Sequence, residues 1–290
     1  MKSESRRQHT FTLKIACPDR VGIVSAVSQF IAENKGWITK ANHHADDMSQ
    51  WFFMRHEILA ESLPFGIDAF RGRFAPIAES FRMNWQITDS AVKKRVVVLV
   101  SKHDHCLSDL LYRWRNQDFE FDIPCVISNH EDLRKFVEWH EIPYFRVEIT
   151  PANRVEAFKE IDRLFLEHRG ETMALARFMQ VFPPEMCAKH AARIINIHHS
   201  FLPSFVGAKP YHQAYEKGVK LIGATCHYVT PDLDQGPIID QDVIRVDHGD
   251  SVDDMVRLGR DVEKAVLARG LRYHVEDRVL IHQNKTVVFK

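Results

Sequence analysis

No stretch of this sequence is apolar for long enough to cross a bilayer: the longest purely aliphatic run is 96–100, whereas a spanning helix needs about 20 such residues. The amino terminus, Met1-Lys-Ser-Glu-Ser-Arg-Arg-Gln-His-Thr10, is polar and lacks the apolar centre of a signal peptide. Neither sign of charge is in excess, with 39 basic against 39 acidic residues, so the electrostatic footprint of a nucleic-acid binder is missing. There is no C-x-x-C pair. The five cysteines, at 17, 106, 125, 187 and 226, are an odd number, which points to free thiols in a reducing compartment rather than a disulfide framework. Nor is there an H-E-x-x-H motif, and the 17 histidines are scattered without metal-ligand spacing. Internal repeats and low-complexity stretches are lacking too. These absences leave a soluble, cytoplasmic protein with no metal, no nucleic acid and no membrane partner.

What remains is an ordinary globular composition, 45% apolar and 27% charged over 290 residues, enough for one large or two ordinary domains. Phe11, Leu13 and Ile15 alternate with polar neighbours as a half-buried strand. Pro18-Asp-Arg-Val-Gly22 interrupts it, and Ile23, Val27, Phe30 and Ile31 follow at helical spacing. Residues 37–46 and 51–59 read as a strand pair. A second helix carries Ile67, Phe70, Phe74, Ile77 and Phe81 on one face, and 83–88 makes a last strand. The order is βαββαβ, a ferredoxin-like unit of roughly 80 residues.

Residues 89–94 form a polar connector, after which the pattern changes. The run at 95–100 is apolar on both faces, as a strand covered on both sides should be. A helix over 107–116 and strands near 123–127, 144–148, 173–177 and 193–197 follow, separated by helical stretches of 10 to 15 residues, so a doubly wound parallel sheet is expected. A helix over 251–274 and a terminal hairpin complete the chain. The domains expected are 1–89, a linker 90–94, and 95–290. In such sheets ligands bind beyond the carboxyl ends of the strands, where Asn196 and His198 fall. Residues two apart on a strand share a face, so a carboxamide and an imidazole project together. Asp234 offers a carboxylate from a separate loop, after Thr225-Cys226-His227 and before Gln235-Gly236.

Such a set suits acyl chemistry on a carbonyl. An aimed donor stabilises the developing oxyanion by on the order of 3 kcal/mol, and a carboxylate that relays a proton adds about 10²–10⁴-fold. Taken singly, each residue has a plainer reading: Asn and Asp in loops commonly shape turns, and a lone His often packs. His227 either orients Asp234 or packs, and Cys226 reads as a small core residue. His198 and His199 are neighbours on a strand and point oppositely, which weighs against a metal pair.

Two resemblances sharpen this reading. Cys17-Pro-Asp-Arg-Val-Gly-Ile-Val24 after a first strand resembles the opening of an ACT domain, a regulatory and assembly module. That resemblance implies a homo-oligomer and an amino-acid effector, or assembly alone. Asn196-Ile-His198-His-Ser-Phe-Leu-Pro203 and Gly223-Ala-Thr-Cys-His227 through Asp234-Gln-Gly236 resemble the folate-dependent formyltransferase fold. It implies a Rossmann-like, mostly parallel α/β domain with Asn196, His198 and Asp234 as the catalytic set. It also implies a folate pocket lined by Phe178, Met179, Gln180, Val181, Phe182, Asp232 and Gly236. Gln180 stands where a basic residue is common.

Transferases that use a phosphorylated amine acceptor carry a Gly-Ser-rich loop after the first strand, whose backbone N–H groups hold the phosphate. Here that loop reads Ser101-Lys-His-Asp-His-Cys-Leu107, without glycine, and Asp104 would repel a phosphate; the acceptor site is expected to be closed or repurposed. With an ACT-like module in front and Ser204-Phe-Val-Gly207-Ala-Lys-Pro-Tyr-His-Gln213 after the strand, the chain resembles the formyltetrahydrofolate deformylase family over about 10–290. Membership implies hydrolysis of 10-formyltetrahydrofolate, the folate being substrate and no further cofactor being needed, in support of one-carbon balance and purine synthesis. The alternatives are formyl transfer to an unphosphorylated amine and a non-catalytic folate or amino-acid sensor.

Overall fold

Residues 8–204 and 210–290 are described in a computed structural model of the chain. The segment 205–209, part of the 204–213 run that resembles the deformylases, lies outside the described residues. Contacts divide the chain into two units, the first running to Lys93 and including Asp277–His282 and Val287–Lys290, the second spanning Lys94–Glu276 with Gln283–Thr286.

The first unit comprises β1 (Thr10–Pro18), α1 (Ile23–Glu33), β2 (Ile38–Asp46), β3 (Trp51–Leu59), α2 (Ile67–Ser80) and β4 (Asn84–Asp89). Its strands lie in the order β2-β3-β1-β4, and each pairing is antiparallel, as in a ferredoxin-like fold. Leu13 and Ile15 from β1, Val27 and Ile31 from α1, and Phe70 and Phe74 from α2 fill the core between sheet and helices. Gly22 starts α1 with φ 100, a left-handed turn that a Cβ would strain.

The second unit begins with β5 (Lys94–Val100), α3 (His105–Arg115), β6 (Phe121–Asp122), β7 (Val126–Ser128), α4 (Arg134–Glu138) and β8 (Tyr144–Arg146). It continues through α5 (Arg154–Glu167), β9 (Thr172–Leu175), α6 (Pro184–Lys189), β10 (Ile194–His198), α7 (Pro210–Glu216), β11 (Leu221–Tyr228), β12 (Ile238–Arg245) and α8 (Val252–Val275). The sheet order is β12-β11-β10-β9-β5-β7-β8, with β6 beside β5. The five strands from β10 to β8 run parallel, and β11 and β12 add an antiparallel edge. The sheet is therefore mostly parallel, as expected, but two connecting helices are shorter than the periodicity implies: α4 has 5 residues and α6 has 6. The strand expected at 173–177 ends at Leu175, because Arg177 adopts φ 65 and turns the chain out of the sheet. Ser251 caps α8 through a reciprocal bond with Asp254, which fixes where that helix begins.

The tail forms a hairpin of β13 (Val279–His282) and β14 (Lys285–Val288). The sequence placed all of it in the second domain, yet Leu280 packs with Ala16 and Phe53 of the first unit. Lys14 Nζ also reaches Asp277 at 2.8 Å, and Arg55 donates to the Asp277 carbonyl at 2.9 Å. A short hairpin carries no local signal of which sheet it will cover.

Candidate active site

Ile194, Ile195 and Ile197 are buried and anchor β10, which leaves Asn196 and His198 on a shared face at its carboxyl end. β10 lies between β9, where Leu175 faces Asn196, and β11, where His227 faces Asn196 and Thr225 faces His198. That register, rather than sequence proximity, brings His227 into the site. The Asn196 amide nitrogen is 3.2 Å from His227 Nε2. His227 Nδ1 donates to the Tyr228 carbonyl at 2.9 Å, which leaves its Nε2 facing the Asn196 amide and the Asp234 carboxylate. The turn after β10 is held by the Thr225 hydroxyl, which donates to the Ser200 carbonyl at 2.9 Å and accepts from the Leu202 N–H at 3.0 Å.

Asp234 sits in the loop between β11 and β12. That loop is pinched shut where the Tyr228 N–H donates to the Pro237 carbonyl at 2.9 Å. A Cβ on Gly236 would lie 1.8 Å from the Tyr228 carbonyl oxygen, so only glycine lets the two backbones approach this closely. With φ 55, Asp234 turns back over the strand ends. Its carboxylate lies 3.2 Å from His198 Nδ1 and 3.6 Å from His227 Nε2. Burial pushes its carboxyl up, but hydrogen bonding and charge from His198 and His227 outweigh that and hold it well below the usual carboxylate range. Because the carboxylate can only accept, His198 Nδ1 carries the proton. His198 Nε2 is buried and has no hydrogen-bond partner among the described residues. A neutral ring would present a lone pair there and an imidazolium would present a donor.

Beside this group is a second polar cluster that the sequence did not reveal. Glu263 is 1% exposed; its carboxylate accepts from the Tyr211 hydroxyl at 2.6 Å and from His105 Nε2 at 2.8 Å. Arg177 Nη1 stands 3.4 Å from it. Burial raises the Glu263 carboxyl, yet the His105 hydrogen bond, the Arg177 charge and the Tyr211 hydroxyl bring it down to about 2. His199, the neighbour of His198, is lowered to about 3 by burial and by the Arg177 charge. His105, Cys106 and Glu263 place ligand-type atoms within 4.8 Å of one another. The adjacent guanidinium disfavours a cation there, and burial pushes the Cys106 thiol well up, away from the thiolate a metal would need. The one legible signal was Glu263 itself, an acid among Met255, Val262, Val266 and Leu267 on the buried face of α8.

The residues expected to line a folate pocket divide by burial. Phe178 and Phe182 point into the core, 6.1 Å apart, with Phe158 packed on Phe182 at 5.2 Å. They support the segment from beneath rather than facing outward. Met179 and Val181 are 55% and 50% exposed, and Gln180 is half-buried. Asp232 is exposed in the same loop as Asp234. The Ser101 hydroxyl, at the end of β5, lies within hydrogen-bond reach of the Asn129 side-chain oxygen at 2.6 Å and of the Phe178 carbonyl, its one proton serving either acceptor. The glycine-free loop is thereby tied to the 176–182 segment.

Residues 94–271 match the formyl transferase family. The chain is 45% identical to the formyltetrahydrofolate deformylase of Bacillus subtilis, covering 96% of this chain and 93% of that protein. It is 42% identical to the Synechocystis enzyme of the same name, over 97% and 98% of the two chains. A crystal structure of a formyltetrahydrofolate deformylase from Pseudomonas syringae superposes with a TM-score of 0.97 at 62% identity, covering 99% of this chain and 96% of that one. Glycinamide ribonucleotide transformylase 1 from Symbiobacterium toebii superposes with a TM-score of 0.64 at 27% identity, covering 68% of this chain and 95% of that one.

Proposed function

Because the chain belongs to the formyltetrahydrofolate deformylase family, we propose that it hydrolyses 10-formyltetrahydrofolate to formate and tetrahydrofolate at the Asn196–His198–Asp234 site. The observation that carries this reading is that the relationship to deformylases extends over both units, whereas the transformylase matches about two-thirds of the chain.

Asp234, ionised throughout the neutral range, accepts a hydrogen bond from the attacking water and takes its proton as the C–O bond forms. The formyl oxygen becomes an oxyanion, stabilised by the Asn196 amide and by His198 Nε2 in the imidazolium form. Each such donor contributes on the order of 3 kcal/mol in a water-poor site. The C–N bond then breaks, its electron pair leaves with the folate nitrogen, and that nitrogen takes the proton held by Asp234. The formic acid ionises, so one proton is released to solvent. The exposure of Met179 and Val181, with half-buried Gln180 and exposed Asp232, supports the inference that these residues meet the folate, and the packing of Phe178 and Phe182 supports their holding that segment.

For the first unit we propose ACT-like assembly into a homo-oligomer with an amino-acid effector. The support is its βαββαβ order and its half-exposed edge strand β2. All five cysteines are free and buried, which supports a reducing, cytoplasmic setting. The test is formate release by purified protein given 10-formyltetrahydrofolate without amine, repeated over a panel of amino acids. Release at the uncatalysed rate would overturn the hydrolase reading; formylated acceptor on adding amines would favour the transferase.

A further inference from the structure

Hydrolysis as derived uses Asn196, His198 and Asp234 and gives no task to the buried cluster of Glu263, Tyr211, His105 and Arg177. β5 leads on through α3 to β7 on one side, and β9 through α6 to β10 on the other. The chain therefore leaves these neighbouring strands in opposite directions. In an open parallel sheet the crevice at such a reversal, beyond the carboxyl ends, is where ligands bind. The loops after β5 and β9 rim it, and they meet where the Ser101 hydroxyl reaches the Phe178 carbonyl. His105, the first residue of α3, and Arg177, two residues past β9, come from those loops. Tyr211 from α7 and Glu263 from α8 close on them.

Side chains thus fill the crevice. Tyr211 and Glu263 are buried, and the His105 side chain is 10% exposed. Nothing polar is left to offer a ligand: Tyr211 and His105 occupy the Glu263 carboxylate, which offsets the Arg177 charge, and Arg177 Nε and Nη1 are buried. α8 makes room for the phenol, since a Cβ on Gly259 would lie 2.0 Å from the Tyr211 hydroxyl oxygen. The filling also borders the reacting group. The His199 ring stands 5.3 Å from that of His198 and 6.1 Å from that of Tyr211, so one imidazole links the two. Water needs no pocket of its own, but an amine brings the rest of its molecule to the formyl carbon, and that body needs a concave site. We propose that Tyr211 and His105, held by Glu263 and Arg177, are specificity-determining residues that fill the acceptor crevice and reserve the formyl group for water; this rests on the function proposed above. Occupied volume, rather than charge, refuses the larger acceptor. With the crevice open, an amine nitrogen bonds to the formyl carbon and gives a proton to Asp234. The C–N bond to the folate then breaks and the folate nitrogen takes that proton, leaving a new formamide and tetrahydrofolate.

The experiment gives the full-length protein 10-formyltetrahydrofolate with increasing glycinamide, and measures formate and N-formylglycinamide by mass spectrometry. Wild type and Tyr211→Phe, which keeps the ring, should form N-formylglycinamide only at the uncatalysed rate. Tyr211→Ala and His105→Ala should raise the ratio of formamide to formate by at least about 10-fold, increasing with amine. Wild-type ratios in both alanine variants would overturn the proposal, as would an equal rise in Tyr211→Phe. Folded alanine variants that make neither product would overturn it too, the rings then serving the chemistry itself. If circular dichroism shows one alanine variant unfolded, the other decides; if both are unfolded, the rings hold the fold rather than bar an acceptor and the proposal falls. A wild type that releases no formate sinks the hydrolase reading, whereas amine product confined to the alanine variants leaves the filled crevice standing.

Discussion

Glu263→Ala tests whether the buried cluster is as tightly coupled as its geometry implies. The substitution removes the acceptor for the Tyr211 hydroxyl and His105 and leaves the Arg177 charge unpaired in the interior. Hydrogen bonds to a charged group contribute about 1.5–3 kcal/mol each, and breaking a buried ion pair by removing one partner costs about 3–5 kcal/mol. These overlap because the same carboxylate serves all three partners, so the expected loss is about 4–5 kcal/mol. At about 2–4 °C per kcal/mol for a unit of this size, Tm should fall by roughly 10 °C or more. Thermal unfolding by circular dichroism reads it directly. Combining Glu263→Ala with Arg177→Met should restore about 2 kcal/mol or more, since the stranded charge is gone. The acid behaviour follows from the carboxyl's low ionisation. A group held down to about 2, against 4.5 ordinarily, adds stability that is complete above 4.5 and is lost as pH falls towards 2. The gap in Tm between wild type and variant should therefore stay constant from neutrality to about pH 5 and narrow below it. A fall under about 3 °C at neutral pH, or no recovery in the double variant, would refute the coupling.

Asp234→Asn and His198→Ala should each lower formate release by about 10²–10⁴-fold while folate binding by fluorescence titration is largely kept; retained turnover would exclude them from the chemistry. Gly236→Ala forces the loop off the Tyr228 carbonyl and moves Asp234 from His198, so kcat should fall by about 100-fold, the effect of a misplacement near one ångström. An unchanged kcat would show that the loop does not position the carboxylate. In the first unit, burial and then the His43 charge lower His56 to about 4 from 6.5, with the two rings 2.7 Å apart at Nε2. A lowered folded value means stability present above 6.5 and lost as pH falls to about 4, by at most roughly 3 kcal/mol. Urea midpoints against pH for wild type and His56→Phe should show that acid loss in wild type and a flatter profile in the variant.

The alternation of Leu13 with Ile15, the helical spacing of Val27 and Ile31, and the apolar run of β5 are local signals of which face is buried, and they were enough to read both architectures. So was the pairing of Asn196 with His198, because a two-residue period on a strand is geometry that sequence alone dictates. The partners of these residues are another matter. His227 reaches Asn196 only through the β10–β11 register, Asp234 returns because Gly236 permits one close backbone approach, and Glu263 meets His105 across 158 positions of chain. The strand expected to continue through Arg177 stops short of it because the backbone turns left-handed there, which no periodicity encodes. Phe178 and Phe182 look alike in sequence to pocket residues, and their place in the core depends on α5 packing against them. Local sequence thus determined the elements and the face on which Asn196 and His198 stand. Tertiary packing decided which buried charges meet, because burial makes each unpaired charge costly and only the folded chain supplies its partner.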